Sequence, residues 1–221
     1  MNSGAPEAFL FDLDGTLVDS ERENIESVVL AARRHGAELS SEERAFVIGH
    51  SWNEIYEVIA TNHALPVGLT QLIAEAVEEK RALMAATGYR ALPGAVALIE
   101  RIARTSKVAV VSGASTSEVK DALAGIGVAA HFQVVIAAED YARGKPAPEP
   151  YQKAIALLGV NAARSIAIED ATPGILSARA AGARVIAVRA GNFAGYDLSP
   201  ADVVVDTLND VTDELVAGLL P

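Results

Sequence analysis

From Pro93 onward, short apolar runs alternate with segments of helical periodicity, and each run is apolar at nearly every position. The runs are KVAVVS, FQVVIAAED, SIAIED, RVIAVR and DVVVD. A half-exposed strand alternates between polar and apolar residues, whereas a strand covered on both faces is apolar throughout. Helices that alternate with such strands cover both faces of a parallel sheet. The pattern therefore predicts an α/β fold in which a parallel sheet lies between two helical layers.

An earlier apolar run, FLFD at residues 9–12, is separated from these strands by a long insert. The intervening residues 18–90 show helical periodicity and contain no strand candidate. Capping-box spacing of Ser and Glu occurs at two predicted helix starts, Ser20 with Glu23 and Ser40 with Glu43. We expect residues 1–17 and 91–221 to form the sheet domain, and residues 18–90 to form an inserted, all-helical domain.

Composition limits the classes of partner and chemistry. The chain has 221 residues, 51% of them hydrophobic, so it can bury a sizeable core. Its formal charge of −11 argues against a nucleic-acid partner, because proteins that bind nucleic acid present basic surfaces. The lack of cysteine excludes disulfides, thiolate metal sites and a cysteine nucleophile. With no recognisable signal peptide or membrane-spanning run, we expect a cytoplasmic protein without a membrane partner, as a monomer or weak homodimer.

Polar residues follow three of the apolar runs, in FLFD, VAVVS and IAIED. The carboxyl ends of parallel strands meet at one edge of the sheet, and this edge is where open α/β sheets bind ligands. We therefore expect one site to contain Asp12, Asp14, Ser112, Glu169 and Asp170. Helices that begin at this edge offer unpaired N–H groups to a phosphate. The segments STSE and TPG are typical of such helix starts.

The carboxylates in this group predict a metal ion. Asp12 and Asp14 share one side of the chain if the strand continues through them, and Asp170 adds a third carboxylate. Carboxylates that meet in a cleft repel one another unless a cation lies among them. Oxygen ligands without thiols suit a hard ion such as Mg²⁺. Lys145, in the proline-rich segment RGKPAPEPY, is the cation that the sequence best places for this chemistry.

Four segments occur in the order and approximate spacing of the four motifs of haloacid-dehalogenase-like phosphatases. They are DLDGTL, VVSGAS, GKPAPEPY and IAIEDATPG. The helical insert after the first motif resembles the cap domain of the β-phosphoglucomutase-like branch, and the resemblance covers nearly the whole chain. It implies a Rossmann-like core with a mobile helical cap, and hinges near residues 16–20 and 88–93.

By this resemblance, Asp12 is the nucleophile that attacks phosphorus and becomes an aspartyl phosphate. Asp14 protonates the leaving oxygen and then activates water to hydrolyse the intermediate. Ser112 and backbone amides near Gly113 bind the phosphoryl oxygens. Lys145 neutralises charge on these oxygens and on Asp12. Together these groups form an electrostatic clamp for phosphoryl transfer.

The resemblance also assigns the metal ligands. Mg²⁺ is held by the Asp12 carboxylate, the backbone carbonyl of Asp14 and the Asp170 carboxylate. Glu169 lies nearby or binds the ion through water. In the family such an ion stabilises charge on the transferring phosphoryl group.

Details of the insert favour hydrolysis over phosphoryl shuttling. The mutases of this branch carry a histidine ten residues after the second aspartate, where this chain has Asn24. They also carry an arginine a few residues past a cap glycine that resembles Gly49, whereas this chain reads GHSWNE. The DGT form of the first motif is phosphatase-like. Candidate substrate contacts in the insert are Asn24, His50, Trp52 and Asn53, for which a plain capping or packing role is equally open.

The sequence as a whole predicts a Mg²⁺-dependent phosphatase that hydrolyses a small phosphorylated metabolite through an aspartyl-phosphate intermediate. The expected substrate is a sugar phosphate, a polyol phosphate or phosphoglycolate. A sugar phosphomutase of the β-phosphoglucomutase type is one alternative. A catalytically silent metabolite-binding protein on the same fold is another, although such a protein needs no nucleophile.

Overall fold

The computed structural model describes residues 5–48 and 50–220, so Gly49 lies outside the described residues. The chain divides into two compact units. The sheet unit contains residues 5–19, 90–192 and 196–220, and the helical unit contains residues 20–48, 50–89 and 193–195. Among the described residues, no helix combines the length and the apolar character needed to cross a bilayer.

The sheet unit is built on a parallel sheet of six strands in the order β5-β4-β1-β6-β7-β8. The strands of the chain are β1 (Ala8–Phe11), β2 (Val18–Asp19), β3 (Arg90–Ala91), β4 (Lys107–Val111), β5 (Val134–Ile136), β6 (Ser165–Glu169), β7 (Arg184–Val188) and β8 (Val203–Val205). Strands β1 and β6 are buried along their whole length, as their continuous apolar sequences predicted. The predicted α/β, Rossmann-like fold is therefore confirmed.

Helices of the sheet unit connect parallel strands and cover the sheet, whereas α1 to α4 belong to the helical unit. The helices are α1 (Glu21–Arg34), α2 (Ser41–Phe46), α3 (Trp52–His63), α4 (Leu69–Thr87), α5 (Ala95–Ile102), α6 (Thr116–Gly125), α7 (Glu149–Leu158), α8 (Thr172–Ala180) and α9 (Asp213–Leu219). Tyr151 and Ile155 of α7 and Ile175 of α8 share one core cluster with Leu10 of β1 and Val185 of β7. This packing fixes the starts of α7 and α8 against the sheet.

The register of the central strands decides which residues meet beyond the sheet edge. Phe11 is level with Val110 of β4 and with Ile168 of β6. Asp12 therefore follows β1 at the level of Glu169, and the backbone N–H of Asp12 still donates to the Ile168 carbonyl oxygen at 3.0 Å. Residues far apart in the chain are thus brought to one edge.

The helical unit contains α1 to α4. Val28 and Val29 of α1 pack with Ile55 and Ile59 of α3 in its main core cluster. The predicted absence of strands from residues 18–90 is wrong at the two ends, because β2 and β3 pair in an antiparallel ribbon. Two-residue strands carry no periodicity that a sequence reading can detect.

One of the two predicted capping boxes forms. The Glu43 backbone N–H donates to Ser40 Oγ at 3.2 Å, and the Ser40 backbone N–H donates to Glu43 Oε2 at 2.8 Å. The other prediction is wrong, because Ser20 makes no side-chain capping bond. Its backbone, at φ −124° and ψ 7°, lacks the extended conformation that directs an N-cap side chain at the helix.

The buried Glu43 side chain also links α2 to α3. Its carboxylate accepts from Asn62 Nδ2 at 2.8 Å and lies 2.9 Å from His63 Nε2. Burial opposes ionisation, but hydrogen bonds from Asn62, the Ser40 backbone and His63 outweigh burial and lower the pKa of Glu43 to about 2. The folded helical unit therefore favours the ionised carboxylate.

We expect Glu43→Gln to lower the free energy of unfolding of the helical unit by about 1–3 kcal/mol at pH 7. Because the folded pKa lies below the usual 4.5, the Glu43 contribution is present above that value and declines as the pH falls toward 2. The loss should therefore shrink at pH 3. Urea denaturation followed by the fluorescence of Trp52, the single tryptophan of the chain, measures it.

The matched control is Glu42→Gln, which removes an exposed carboxylate from the same turn of helix. It should change the free energy of unfolding by less than about 0.5 kcal/mol. Equal losses for Glu43→Gln at pH 7 and pH 3 would contradict the charge-dependent role of Glu43.

Candidate active site

The chain turns sharply just after β1. The Leu13 carbonyl oxygen accepts from the backbone N–H groups of Leu17 at 2.8 Å and Val18 at 3.0 Å. β1 ends at Phe11 and Asp14 forms an isolated bridge with Val18, so the condition under which Asp12 and Asp14 would share one strand face is not met. Asp14 is nevertheless close enough for its charge to contribute to the raised pKa of Asp12.

Lys145 joins two of the predicted acidic residues. Its Nζ donates to Asp12 Oδ1 and to Glu169 Oε1, each at 2.6 Å. The Lys145 side chain is 15% exposed, and the Glu169 side chain is 1% exposed. These ion pairs therefore lie largely out of water, where electrostatic interactions are strong. The loop after β5, the end of β1 and the end of β6 supply the three groups.

Among the described residues, this cluster combines three carboxyl groups with the one ammonium group of Lys145. Burial raises the pKa of Asp12 to about 7, although Lys145 opposes the shift. Burial, with the charges of Asp12 and Glu169, also raises the pKa of Asp170 well above its usual range. For Lys145, burial disfavours the ammonium, but Asp12 and Glu169 outweigh burial and raise its pKa well above the usual value. Full ionisation of these acids at neutral pH would therefore need a further cation beside them.

The donor set fits a hard divalent ion. Asp12, Glu169 and Asp170 are buried, and each offers a carboxylate oxygen within 4.8 Å of the others. Thr16 Oγ1 donates to Asp170 Oδ1 at 3.3 Å, which orients that carboxylate. Oxygen-only ligands favour hard cations. A cluster of three buried acids with this spacing therefore suits a divalent metal.

Three glycines near the carboxylates lie where a Cβ atom would overlap a neighbouring group. A Cβ on Gly15, whose φ is +82°, would lie 2.3 Å from Asp170 Oδ2. A Cβ on Gly174 would lie 1.9 Å from Glu169 Oε1. A Cβ on Gly191 would lie 1.6 Å from the Gly15 carbonyl oxygen. Asp170 and Glu169 therefore rest against backbone that only glycine leaves open, and Gly191 lets its own loop approach the loop of Gly15.

Sequence reasoning missed Tyr151, whose hydroxyl donates to Glu169 Oε1 at 2.6 Å. Tyr151 lies on the buried face of α7, with Ala154, Ile155 and Leu158. A tyrosine at a core position of an amphipathic helix needs a partner for its hydroxyl, and this signal was available in the segment GKPAPEPY. Thr16 and Gly174 were missed as well, since only the fold brings them to the carboxylates.

Ser112 makes hydrogen bonds through its backbone N–H, its side-chain Oγ and its backbone carbonyl oxygen. Its backbone N–H donates to the Ile136 carbonyl oxygen at 2.9 Å, and its Oγ accepts from the Ala114 N–H at 3.0 Å. Tyr141 donates its hydroxyl to the Ser112 carbonyl oxygen at 3.1 Å. With Oγ acting as an acceptor from Ala114, the Ser112 hydroxyl hydrogen can donate to a ligand. The assignment of Ser112 and Gly113 to phosphate binding stays a prediction.

The start of α6 does not offer all the free amides that the sequence suggested. The Thr116 N–H donates to the Glu139 carboxylate at 3.0 Å, and the Glu118 N–H donates to Ser115 Oγ at 3.4 Å. Side chains thus already occupy two amides of this helix end. Phosphate binding at this helix start stays a prediction, and these two amides are not among the free donors.

The remaining candidates belong to the helical unit. Asn24 lies in α1, where its carbonyl oxygen accepts from Ser27 Oγ at 2.8 Å. The exposed His50 ring stacks on Phe46 with centroids 3.7 Å apart. Trp52 packs against the helical core, and Asn53 is exposed in the first turn of α3. Their role as substrate contacts stays a prediction, and packing accounts for Trp52.

Comparison with known proteins decides the family. The model of haloacid dehalogenase-like hydrolases matches residues 9–188. The chain belongs to this family. Validoxylamine A 7'-phosphate phosphatase of Streptomyces hygroscopicus subsp. limoneus is 32% identical over 91% of this chain and 94% of its own length. Hexitol phosphatase A of Escherichia coli is 34% identical over 92% of each chain.

The fold of this haloacid dehalogenase-like protein has solved counterparts. The crystal structure of CbbY from Rhodobacter sphaeroides in complex with phosphate is similar with a TM-score of 0.81 and 25% identity. It covers 93% of this chain, which covers 96% of CbbY. With relatives named as phosphatases in the same family, the predicted class of phosphoric monoester hydrolase is confirmed.

We expect Gly174→Ala to destabilise the protein, although alanine is the better helix former. The added Cβ would overlap the Glu169 carboxylate and force it away from Lys145. Overpacking of this kind costs about 1–3 kcal/mol, so the melting temperature should fall by several degrees. The measurement is differential scanning calorimetry in metal-free buffer.

Gly218→Ala is the matched control. Gly218 also lies within a helix, α9, but a Cβ there meets nothing within 4 Å. This variant should keep or slightly raise the melting temperature. If Gly174→Ala behaved like Gly218→Ala, the Glu169 carboxylate would not be confined as described.

Proposed function

We propose that this protein is a Mg²⁺-dependent phosphatase that hydrolyses small phosphorylated metabolites through an aspartyl-phosphate intermediate. The observation that carries the proposal is the buried ion-pair arrangement in which Lys145 Nζ lies 2.6 Å from both Asp12 Oδ1 and Glu169 Oε1. The arrangement sits at the carboxyl ends of the strands, in a chain whose relatives are named as phosphatases.

Asp12 is the proposed nucleophile. One of its carboxylate oxygens forms a bond to phosphorus while the bond from phosphorus to the leaving oxygen breaks. Asp14 gives a proton to the leaving oxygen. It then takes a proton from the water that attacks phosphorus and breaks the aspartyl-phosphate bond, which regenerates the Asp12 carboxylate.

Charge compensation is the main task of the surrounding groups. Lys145 faces the Asp12 oxygen and neutralises charge on the transferring group, and the Ser112 hydroxyl donates to a phosphoryl oxygen. Asp12, Asp170 and the Asp14 carbonyl would hold Mg²⁺, with Glu169 beside it. When bound, the ion supplies the positive charge that the cluster lacks and stabilises charge on the phosphoryl oxygens.

The proposed substrates are sugar or polyol phosphates, with phosphoglycolate as a further candidate. Two relatives are named for a validoxylamine phosphate and for hexitol phosphates, which favours a polyhydroxylated substrate. Asn24 and the arginine-free segment at residues 50–54 favour hydrolysis over mutase chemistry, as the sequence indicated. The helical unit is proposed to act as a mobile cap that excludes water.

Phosphate release from p-nitrophenyl phosphate and from a panel of sugar and polyol phosphates, with Mg²⁺, tests the function. We expect turnover by the wild-type protein and at least about a thousandfold loss in Asp12→Asn, because the amide is a poor nucleophile. Circular dichroism checks that the variant remains folded. No release from any substrate would favour a silent binder, and interconversion of sugar phosphates without release would favour a mutase.

Removal of one carboxylate tests the metal assignment. We expect Asp170→Asn to raise the Mg²⁺ concentration for half-maximal activity by at least about tenfold. Without Mg²⁺ the same variant should melt at or above the wild-type temperature, because a buried, mutually repelling carboxylate has been removed. Calorimetric titration with Mg²⁺ provides a second measurement that does not depend on turnover.

Asp206→Asn is the control for this experiment. It removes an 84% exposed carboxylate that forms an ion pair with Arg189. Its Mg²⁺ response should match that of the wild-type protein. An unchanged Mg²⁺ response in Asp170→Asn would remove Asp170 from the ligand set.

A further inference from the structure

Tyr151 is a fully buried residue that contacts two groups of the site. Its hydroxyl donates to Glu169 Oε1 at 2.6 Å. Its ring centroid lies 5.3 Å from Lys145 Nζ, within the range of a cation–π interaction. Tyr151 thus contacts both members of the Lys145–Glu169 ion pair through different parts of one side chain.

The Tyr151 hydroxyl remains protonated and can donate a hydrogen bond throughout the reaction. A tyrosine hydroxyl ordinarily ionises only at about pH 10. The phenol therefore keeps its proton and donates to the carboxylate without changing the net charge of the site. A lysine or arginine at this place would instead add a second positive charge.

Three contacts confine the Glu169 carboxylate. Lys145 Nζ and the Tyr151 hydroxyl both donate to Oε1, each at 2.6 Å. The backbone of Gly174 lies so close to the carboxylate that a Cβ would come within 2.1 Å of either oxygen. Glu169 is therefore held in a single orientation, with Oε1 directed at Lys145.

We propose that Tyr151 is a positioning residue for phosphoryl transfer, which fixes Glu169 so that Lys145 stays beside Asp12 Oδ1. The inference rests on the proposed function, since it concerns the same phosphatase site. Lys145 Nζ is held between Asp12 Oδ1 and Glu169 Oε1. The position of Glu169 Oε1 therefore sets the position of the ammonium over the nucleophile.

Loss of the hydroxyl predicts a specific rearrangement. With one donor fewer on Oε1, the Glu169 carboxylate is free to rotate away from Lys145 and toward the cation site that it shares with Asp12 and Asp170. The Lys145 ammonium then pairs with Asp12 alone, and its position relative to the transferring phosphoryl group is less favourable. We therefore expect kcat to fall more than KM rises. A misplaced ammonium stabilises the transition state less, because the charge that it should neutralise develops only there.

Tyr151→Phe and Tyr151→Leu separate the hydroxyl from the ring. With p-nitrophenyl phosphate and saturating Mg²⁺, well below the melting temperature, we expect Tyr151→Phe to lose about tenfold in kcat with KM within about threefold. Tyr151→Leu should lose a similar factor in kcat and melt at a lower temperature. Wild-type kcat in Tyr151→Phe, or a loss seen only in the less stable Tyr151→Leu, would overturn the proposal and leave Tyr151 with a packing role.

The matched control is Tyr56→Phe. Tyr56 lies in the helical unit and donates its hydroxyl to the Val67 carbonyl oxygen at 2.9 Å, so the same atom is removed from a structural hydrogen bond. Its kcat should stay within about twofold of wild type. A tenfold loss in kcat for this control as well would show that removing a structural tyrosine hydrogen bond elsewhere in the chain has the same effect, and would overturn the specific role of Tyr151.

Crystal structures of the wild-type and Tyr151→Phe proteins give a measurement that does not depend on turnover. The Lys145 Nζ to Glu169 Oε1 distance should exceed hydrogen-bonding range in the variant, and an unchanged carboxylate would overturn the proposal. If the wild-type protein released no phosphate from any substrate, the proposed function would fail. The structures would then still decide whether the hydroxyl positions Glu169.

Discussion

Buried carboxylates gather at the carboxyl edge of the sheet around a single ammonium group, and this imbalance of charge governs the site. Asp12, Glu169 and Asp170 are held there by the ends of β1 and β6, so the backbone cannot relieve their repulsion by separating them. Ionised groups removed from water need a partner of opposite charge. Lys145 meets part of this need, and a divalent cation would meet the remainder.

The sheet supplies the rigidity that such a cluster needs. Strands β1 and β6 are apolar and buried along their length, so their ends are defined by packing on both faces. The helices on one face contribute Tyr151 to the core and its hydroxyl to the site, which couples packing to electrostatics through one side chain. Polar groups that are held in this way need little reorganisation during a reaction, and preorganisation of this kind is an important source of catalysis.

The sequence was sufficient for the fold and for the residues at the strand ends. Continuous apolar runs predicted buried parallel strands, and the rule that their carboxyl ends share one edge predicted the meeting of Asp12, Glu169 and Asp170. Lys145 was found from its motif. The sequence did not predict features that depend on the backbone conformation or on residues distant in the chain. Ser20 has the right spacing but not the extended backbone of an N-cap, and one amide of α6, the Thr116 N–H, is taken by Glu139, which is distant in the chain. Tyr151 was missed because its partner lies on another element.

Glycine at positions 15, 174 and 191 has a consequence for the evolution of this protein. At each position the space of a side chain is already filled, by a carboxylate or by the backbone of another loop. Such residues contribute no functional group, yet a scan of all substitutions would find them as intolerant as the acids themselves. Changes of specificity in descendants of this chain must therefore arise at positions that leave these three contacts untouched.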